Sequence, residues 1–162
     1  MSHPPVVAAR LGVAYVYCPA VLSLRTRRDF GNAVLSRWPI IEDSKLILPH
    51  RALFSRTQRI ATAATVRVGE SLVRIHSACL GTILDIGPRV RRGQLRAILA
   101  DAADYTRAVV GGDMNSSGVR QVALELGYQW PTRKCPAQRC RRGSEGVAQG
   151  DGAADAGGTG SR

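Results

Sequence analysis

The apolar residues of this chain come in short runs cut by glycine, proline and charge, and the period within the runs changes along the sequence. Val13, Ala14, Tyr15, Val16 and Tyr17 follow Gly12 as a strand that Pro19 is expected to stop, with a short helix end before it around Arg10 and Leu11. Residues 24–29 read as a charged loop with Arg25, Arg27 and Arg28. In FGNAVLSRWPI, residues 30–40, Gly31 and Asn32 introduce a strand over 33–36 that Arg37, Trp38 and Pro39 close. The Asn32 amide there either points into a cleft or caps a turn. Residues 44–48 predict an edge strand ended by Pro49, and His50 reads as a surface histidine. The sharpest pattern lies over 61–80, where two strand-rich runs, 62–68 and 72–80, flank Gly69 and Glu70 as a hairpin. His76 and Cys79 in the second run are an odd number of residues apart, so they face opposite sides and only one can share a given cleft.

The period then lengthens. Leu95, Ile98, Leu99 and Ala102 recur at helical spacing and predict a helix over 90–105, with Arg91, Arg92 and Arg96 on its wet side. AVVGGDMN, residues 108–115, follows as a short apolar run ending in two glycines, the pattern of a buried strand meeting a loop. Asp113 and Asn115, two apart, then project into one space beside a backbone that glycine lets approach closely. Ser116 or Ser117 caps a second helix whose apolar positions are Val119, Val122, Ala123 and Leu126, and Gly127 ends it. Residues 128–132 read as one more packed segment. From Lys134 to Arg162 periodicity is lost in favour of Gly, Ala, Arg and Asp without an aromatic residue, a disordered composition. The expectation is an α+β domain over 1–133 and a low-complexity tail over 134–162.

Charge adds a partner class. Among 162 residues, 23 are Lys or Arg and 12 are Asp or Glu, a net charge of +11 that favours polyanions: nucleic acid, phosphorylated ligands or an anionic membrane. The same Arg, Ala and Gly usage also follows from a GC-rich coding sequence, and both readings stay open. Cys18, Cys79, Cys135 and Cys140 lack a paired metal-ligand spacing, which suits free thiols in a reducing, cytoplasmic setting. The apolar stretch 11–24 is too short to span a bilayer, and no basic residue precedes it within 1–5 as in a leader, so a soluble protein is expected.

An anionic base beside a neutral donor is the chemistry of phosphate ester hydrolysis. Asp113 can orient or deprotonate a water while Asn115 meets charge building on phosphoryl oxygens. The plain alternative is a turn, the ordinary use of Asp and Asn beside Gly.

Five motifs in order weigh on that choice. FGNAVLSRWPI, then RIATAATVRV paired with LVRIHSACLGT, then RRGQLRAIL and VVGGDMN resemble, from Leu11 to Thr132, the endonuclease/exonuclease/phosphatase superfamily of metal-dependent phosphodiesterases and phosphatases related to DNase I. The resemblance implies a DNase I-like, four-layer α/β/β/α sandwich, partial here, with its site at the sheet edges and magnesium as cofactor. By that resemblance Asp113 activates the water and serves as metal ligand, Asn115 stabilises the transition state, and Asn32 lies near the cleft on the substrate side. The family's histidine precedes a Leu at the end of the hairpin's second strand, which puts Cys79 in its place; the DNase I branch reads His-Ser-Ala there, which makes His76 the candidate acid. Both registers remain open. A metal-binding Glu before the first motif and an Asp-His pair after the last have no counterpart, so the chain is expected to be a member shortened at both ends. Sheet edges left bare in this way favour self-association. The expected function is metal-dependent phosphate ester hydrolysis; the alternative is a non-catalytic remnant or basic module holding nucleic acid or another polyanion.

Overall fold

Alanine makes the centre of the fold. The computed structural model describes residues 4–23, 28–51, 57–116 and 118–131. In order these form α1 (Pro4–Leu11), β1 (Ala14–Ser23), β2 (Arg28–Ser36), β3 (Ile40–Arg51), β4 (Gln58–Val68), β5 (Ser71–Cys79), α2 (Pro88–Ala103), β6 (Ala108–Asp113) and α3 (Val119–Glu125). Strand β4 is buried on both faces from Ile60 to Val66, and its Ala61, Ala63 and Ala64 let a layer approach closely from either side. A strand covered on both faces loses the in-and-out alternation of a half-wet strand, which is why its sequence reads as continuous.

Two sheets result, one of order β3-β4-β5-β6 and one of β1-β2. All pairings are antiparallel except β5 with β6, which run parallel across the α2 connection. The β1-β2 pair packs on β4, and β2 also on β5. A polar link ties the two sheets: the Asn32 amide donates to the Ile60 carbonyl at 2.8 Å and the Thr62 hydroxyl donates to the Asn32 carbonyl at 3.0 Å. On the other face of the larger sheet, Leu95, Ile98 and Leu99 of α2 and Val119 and Val122 of α3 close a core over Ala61, Ala78 and Leu80. Helix α1 packs against β1 and β2. Helices therefore flank stacked sheets, the α+β sandwich expected from the sequence.

Several boundaries move. Pro19 does not stop β1, because the register shifts between Pro19 and Val21 and that irregularity absorbs the missing N–H. Gly31 and Asn32 lie inside β2 rather than before it. A Cβ on Gly31 would overlap the Cys18 carbonyl across the pair, which explains the glycine. Strand β3 runs through Pro49 to Arg51, again with a register shift, and His50 is exposed with φ 63°. Arg91 is buried rather than wet; its Nη1 donates to the Thr82 and Ile86 carbonyls at 3.2 and 2.6 Å and fixes the loop that leads into α2. Ser116 contributes by accepting a hydrogen bond from Gly118 N at 3.1 Å, ahead of a helix that no side chain caps. Tyr128 and Trp130 pack on the core as the sequence suggests.

Met1–Trp130 forms one compact unit, and Pro131 alone is described of the unit that follows. The expected disordered tail, most of the charged loop at 24–27, and Cys135 and Cys140 lie outside the described residues. Among the described residues, no helix is long and apolar enough to cross a membrane.

Candidate active site

The carboxyl ends of β5 and β6 lie side by side because the two strands are parallel, and their register sets Cys79 opposite Asp113. Gly112 makes this possible. It adopts φ 128°, and a Cβ there would overlap the Ala78 carbonyl oxygen of the neighbouring strand. The ladder continues one step beyond the strands, with Leu80 N donating to the Asp113 carbonyl at 2.9 Å.

Asp113 is exposed, and its Oδ1 accepts the backbone N–H of Asn115 at 2.9 Å. That local turn holds Asn115 at φ 49°, a left-handed conformation that asparagine tolerates better than most residues. The Asn115 side chain then folds back on β5. Its Nδ2 donates to the Leu80 carbonyl at 2.8 Å and lies 4.0 Å from Cys79 Sγ. Asp113, Asn115 and Cys79 are thus gathered at one rim, as the motif pattern suggests.

Arg59, which the sequence reading did not single out, completes the group. Its Nη1 lies 3.4 Å from Cys79 Sγ and its Nη2 3.8 Å from Asp85 Oδ2, while its buried Nε has no partner among the described residues. The available signal was position: Arg59 opens RIATAATVRV, and the start of a strand antiparallel to β5 sits where β5 ends. Asp85 is held in turn by the Thr82 hydroxyl at 3.0 Å. Burial pushes the Cys79 thiol pKa up; Arg59 pulls it down and Asp113 pushes it further up, with a net rise. The sulfur is a protonated thiol at neutral pH.

His76 goes elsewhere. The strand period turns it to the helix-covered face, where its Nε2 meets Asp101 Oδ2 of α2 at 2.7 Å. Arg74 shares that carboxylate through Nε at 3.0 Å, donates to the Thr65 and Ser44 hydroxyls at 3.1 and 2.7 Å, and lies 4.8 Å from the Tyr105 ring centroid. Burial lowers the His76 pKa against the opposing pull of Asp101, with a weaker upward pull from the Val109 carbonyl. Burial is the larger effect and the Nε2 proton is held by the Asp101 carboxylate, so the imidazole is neutral at neutral pH. The structure does not bring His76 to Asp113; the rim position belongs to Cys79. Asn32 stands between the sheets with its amide committed to the Ile60 carbonyl.

Magnesium takes about six oxygen ligands in near-octahedral array. Among the described residues no three or more His, Cys, Asp or Glu side chains converge to hold a metal. Asp113 has a neutral thiol and a committed amide for company, and Asp85 is engaged by Arg59 and Thr82. These residues alone do not build a magnesium site.

No protein-family model and no curated protein matches the chain. Among solved structures it is similar to the human Nocturnin catalytic domain with bound sulfate, at 19% identity over 75% of this chain and 49% of that one, with a TM-score of 0.58. It is similar to an endonuclease/exonuclease/phosphatase family protein from Leptotrichia buccalis, at 12% identity over 71% of this chain and 45% of that one, TM-score 0.55. A third is sphingomyelinase C from Streptomyces griseocarneus, at 20% identity over 64% of this chain and 40% of that one, TM-score 0.51. The chain spans half or less of the length of each.

Proposed function

We propose that this chain, carrying the DNase I-like fold of the endonuclease/exonuclease/phosphatase proteins over part of their length, binds phosphate esters at the joined ends of β5 and β6 and hydrolyses them there. The observation that carries the reading is the convergence of Asp113, Asn115 and Cys79 at one exposed rim. Asp113 orients the attacking water, and the amide hydrogen that Asn115 does not spend on Leu80 meets charge on a phosphoryl oxygen. Proteins of this fold generally depend on a divalent metal. Asp113 is the rim carboxylate that such an ion would meet, and the described residues do not complete its ligand set. The net charge of +11 favours nucleic acid among phosphate esters. Hydrolysis of bis(p-nitrophenyl) phosphate, with magnesium and with chelator, tests the reading. Turnover is expected to disappear in Asp113→Ala, and an unchanged rate in that variant removes it.

A second reading has its own observation. A protonated thiol at the rim offers little proton chemistry near neutral pH, while the Arg59 guanidinium beside it suits holding a phosphate. On this reading the chain binds a polyanion without turnover, and affinity falls steeply with salt and needs no magnesium. Binding indifferent to salt would count against it.

Exposure along β6 adds self-association to the proposal. Among the described residues two strands face a sheet of four, and Val109, on the side of Asp113, is 55% exposed.

A further inference from the structure

Among the described residues, Arg59, Arg74 and Arg91 have side chains wholly or largely withdrawn from solvent, and they differ in what they bond. Arg74 is saturated by Asp101, Thr65, Ser44 and the Tyr105 face. Arg91 spends its Nη1 on two carbonyls, although its Nε, like that of Arg59, is buried without a partner among the described residues. Arg59, with a side chain only 12% exposed, has as its one hydrogen-bond acceptor among the described residues the sulfur of Cys79. Its nearest carboxylate, Asp85, lies at 3.8 Å, beyond hydrogen-bond range, and Nε is orphaned. A guanidinium carries five N–H donors and no acceptor, and a neutral thiol is a weak acceptor. Keeping such a group out of water with so little in return is costly unless an anion completes it.

The Asn115 amide, which also donates to the Leu80 carbonyl, lies 4.0 Å from the same sulfur. A donor from β4 and one from the loop after β6 thus meet at a sulfur that is too weak an acceptor to satisfy the guanidinium. We infer that Arg59 and Asn115 form a built anion site beside Asp113, one that grips a non-bridging oxygen pair of a phosphoryl group. The inference rests on the reading of this cleft as a phosphoester site and supplies the cation which that reading lacks. Arg59 is the group that holds the phosphate against the repulsion of Asp113. Its planar fork matches two phosphoryl oxygens at once, which a lysine ammonium cannot do.

The test is inorganic phosphate binding to the full chain by calorimetry, alongside hydrolysis of the same diester. Arg59→Gln is expected to weaken phosphate binding about tenfold or more, Arg59→Lys by less, and Arg107→Ala not at all. Arg107 is the control because it is exposed and bonds Ser71, at the other end of β5. A fall in affinity shared equally by Arg59→Gln and Arg107→Ala would assign the effect to net charge and overturn the site. Equal affinity in wild type and Arg59→Lys would do the same should Arg59→Gln fail to fold. Phosphate binding that depends on Arg59 without turnover in any sample removes the hydrolase reading and leaves the site standing. Turnover lost in Asp113→Ala with phosphate binding indifferent to Arg59 does the reverse.

Discussion

Cys79 and His76 show how far one residue's chemistry depends on the parity of its strand position. At the rim, catalysis by proton transfer needs a group that titrates near neutral pH, and burial holds the thiol above its ordinary range. Cys79→His is therefore expected to raise diester turnover by about 100-fold over wild type, with a pH profile centred on the imidazole value of about 6.5. A rate unchanged by that substitution would show that another missing group limits the chemistry. His76 has the opposite consequence. Its folded-state pKa is below the ordinary 6.5, so the unfolded chain takes up a proton that the folded chain refuses. Stability should fall as pH drops through 6.5 toward the lower folded value, and urea midpoints from pH 8 to 5 should lose that slope in His76→Gln. That the two side chains lie on opposite faces was legible from their spacing alone. Which of them met Asp113 was not, because the pairing partner of β5 lies beyond a whole helix. Arg59 was illegible for a related reason: nothing local marks a residue at the start of one strand as a wall of a site made by the ends of two others.

The elements around the site are fixed by a few positions that tolerate little change. Gly112→Ala combines a disfavoured φ with an overlap on the Ala78 carbonyl, and should cost about 3 kcal/mol or more as β6 separates from β5. Loss of protection at the β6 amides in hydrogen exchange would accompany it. Helix α2 is seated partly by charge. Burial raises the Asp101 pKa, but the hydrogen bonds from Arg74 and His76 outweigh it and hold the carboxyl below its usual range. Asp101→Ala strands Arg74 in the core and should cost about 3 kcal/mol, read as a fall in the urea midpoint. The sequence marked α2 through Leu95, Ile98, Leu99 and Ala102 but placed Arg91 on its wet side. A helical wheel cannot see that the preceding loop folds over the first turn and offers carbonyls to a buried guanidinium.

For the molecule as a whole, order of motifs carried more than any single motif. Hairpin, helix, strand and helix follow one another as expected, while the long reach of β1 through Pro19 and of β3 through Pro49 depended on register shifts that only the paired strand reveals. The mismatch of two strands over four gives the last prediction: sedimentation should report mass rising with concentration, and Val109→Lys should shift the balance toward monomer.

The parallel pairing of β5 with β6 has a consequence in time as well as in space. An antiparallel hairpin such as β4-β5 closes locally, but Cys79 and Asn115 are 36 residues apart, with α2 between them. Their meeting must wait for a helix to form and dock, so loop-closure entropy is spent before any contact repays it. The rim is then among the last parts of the protein to assemble and among the first to come apart. Loss of phosphate binding on gentle heating should precede loss of the hairpin, which makes the site an early gauge of the fold that carries it.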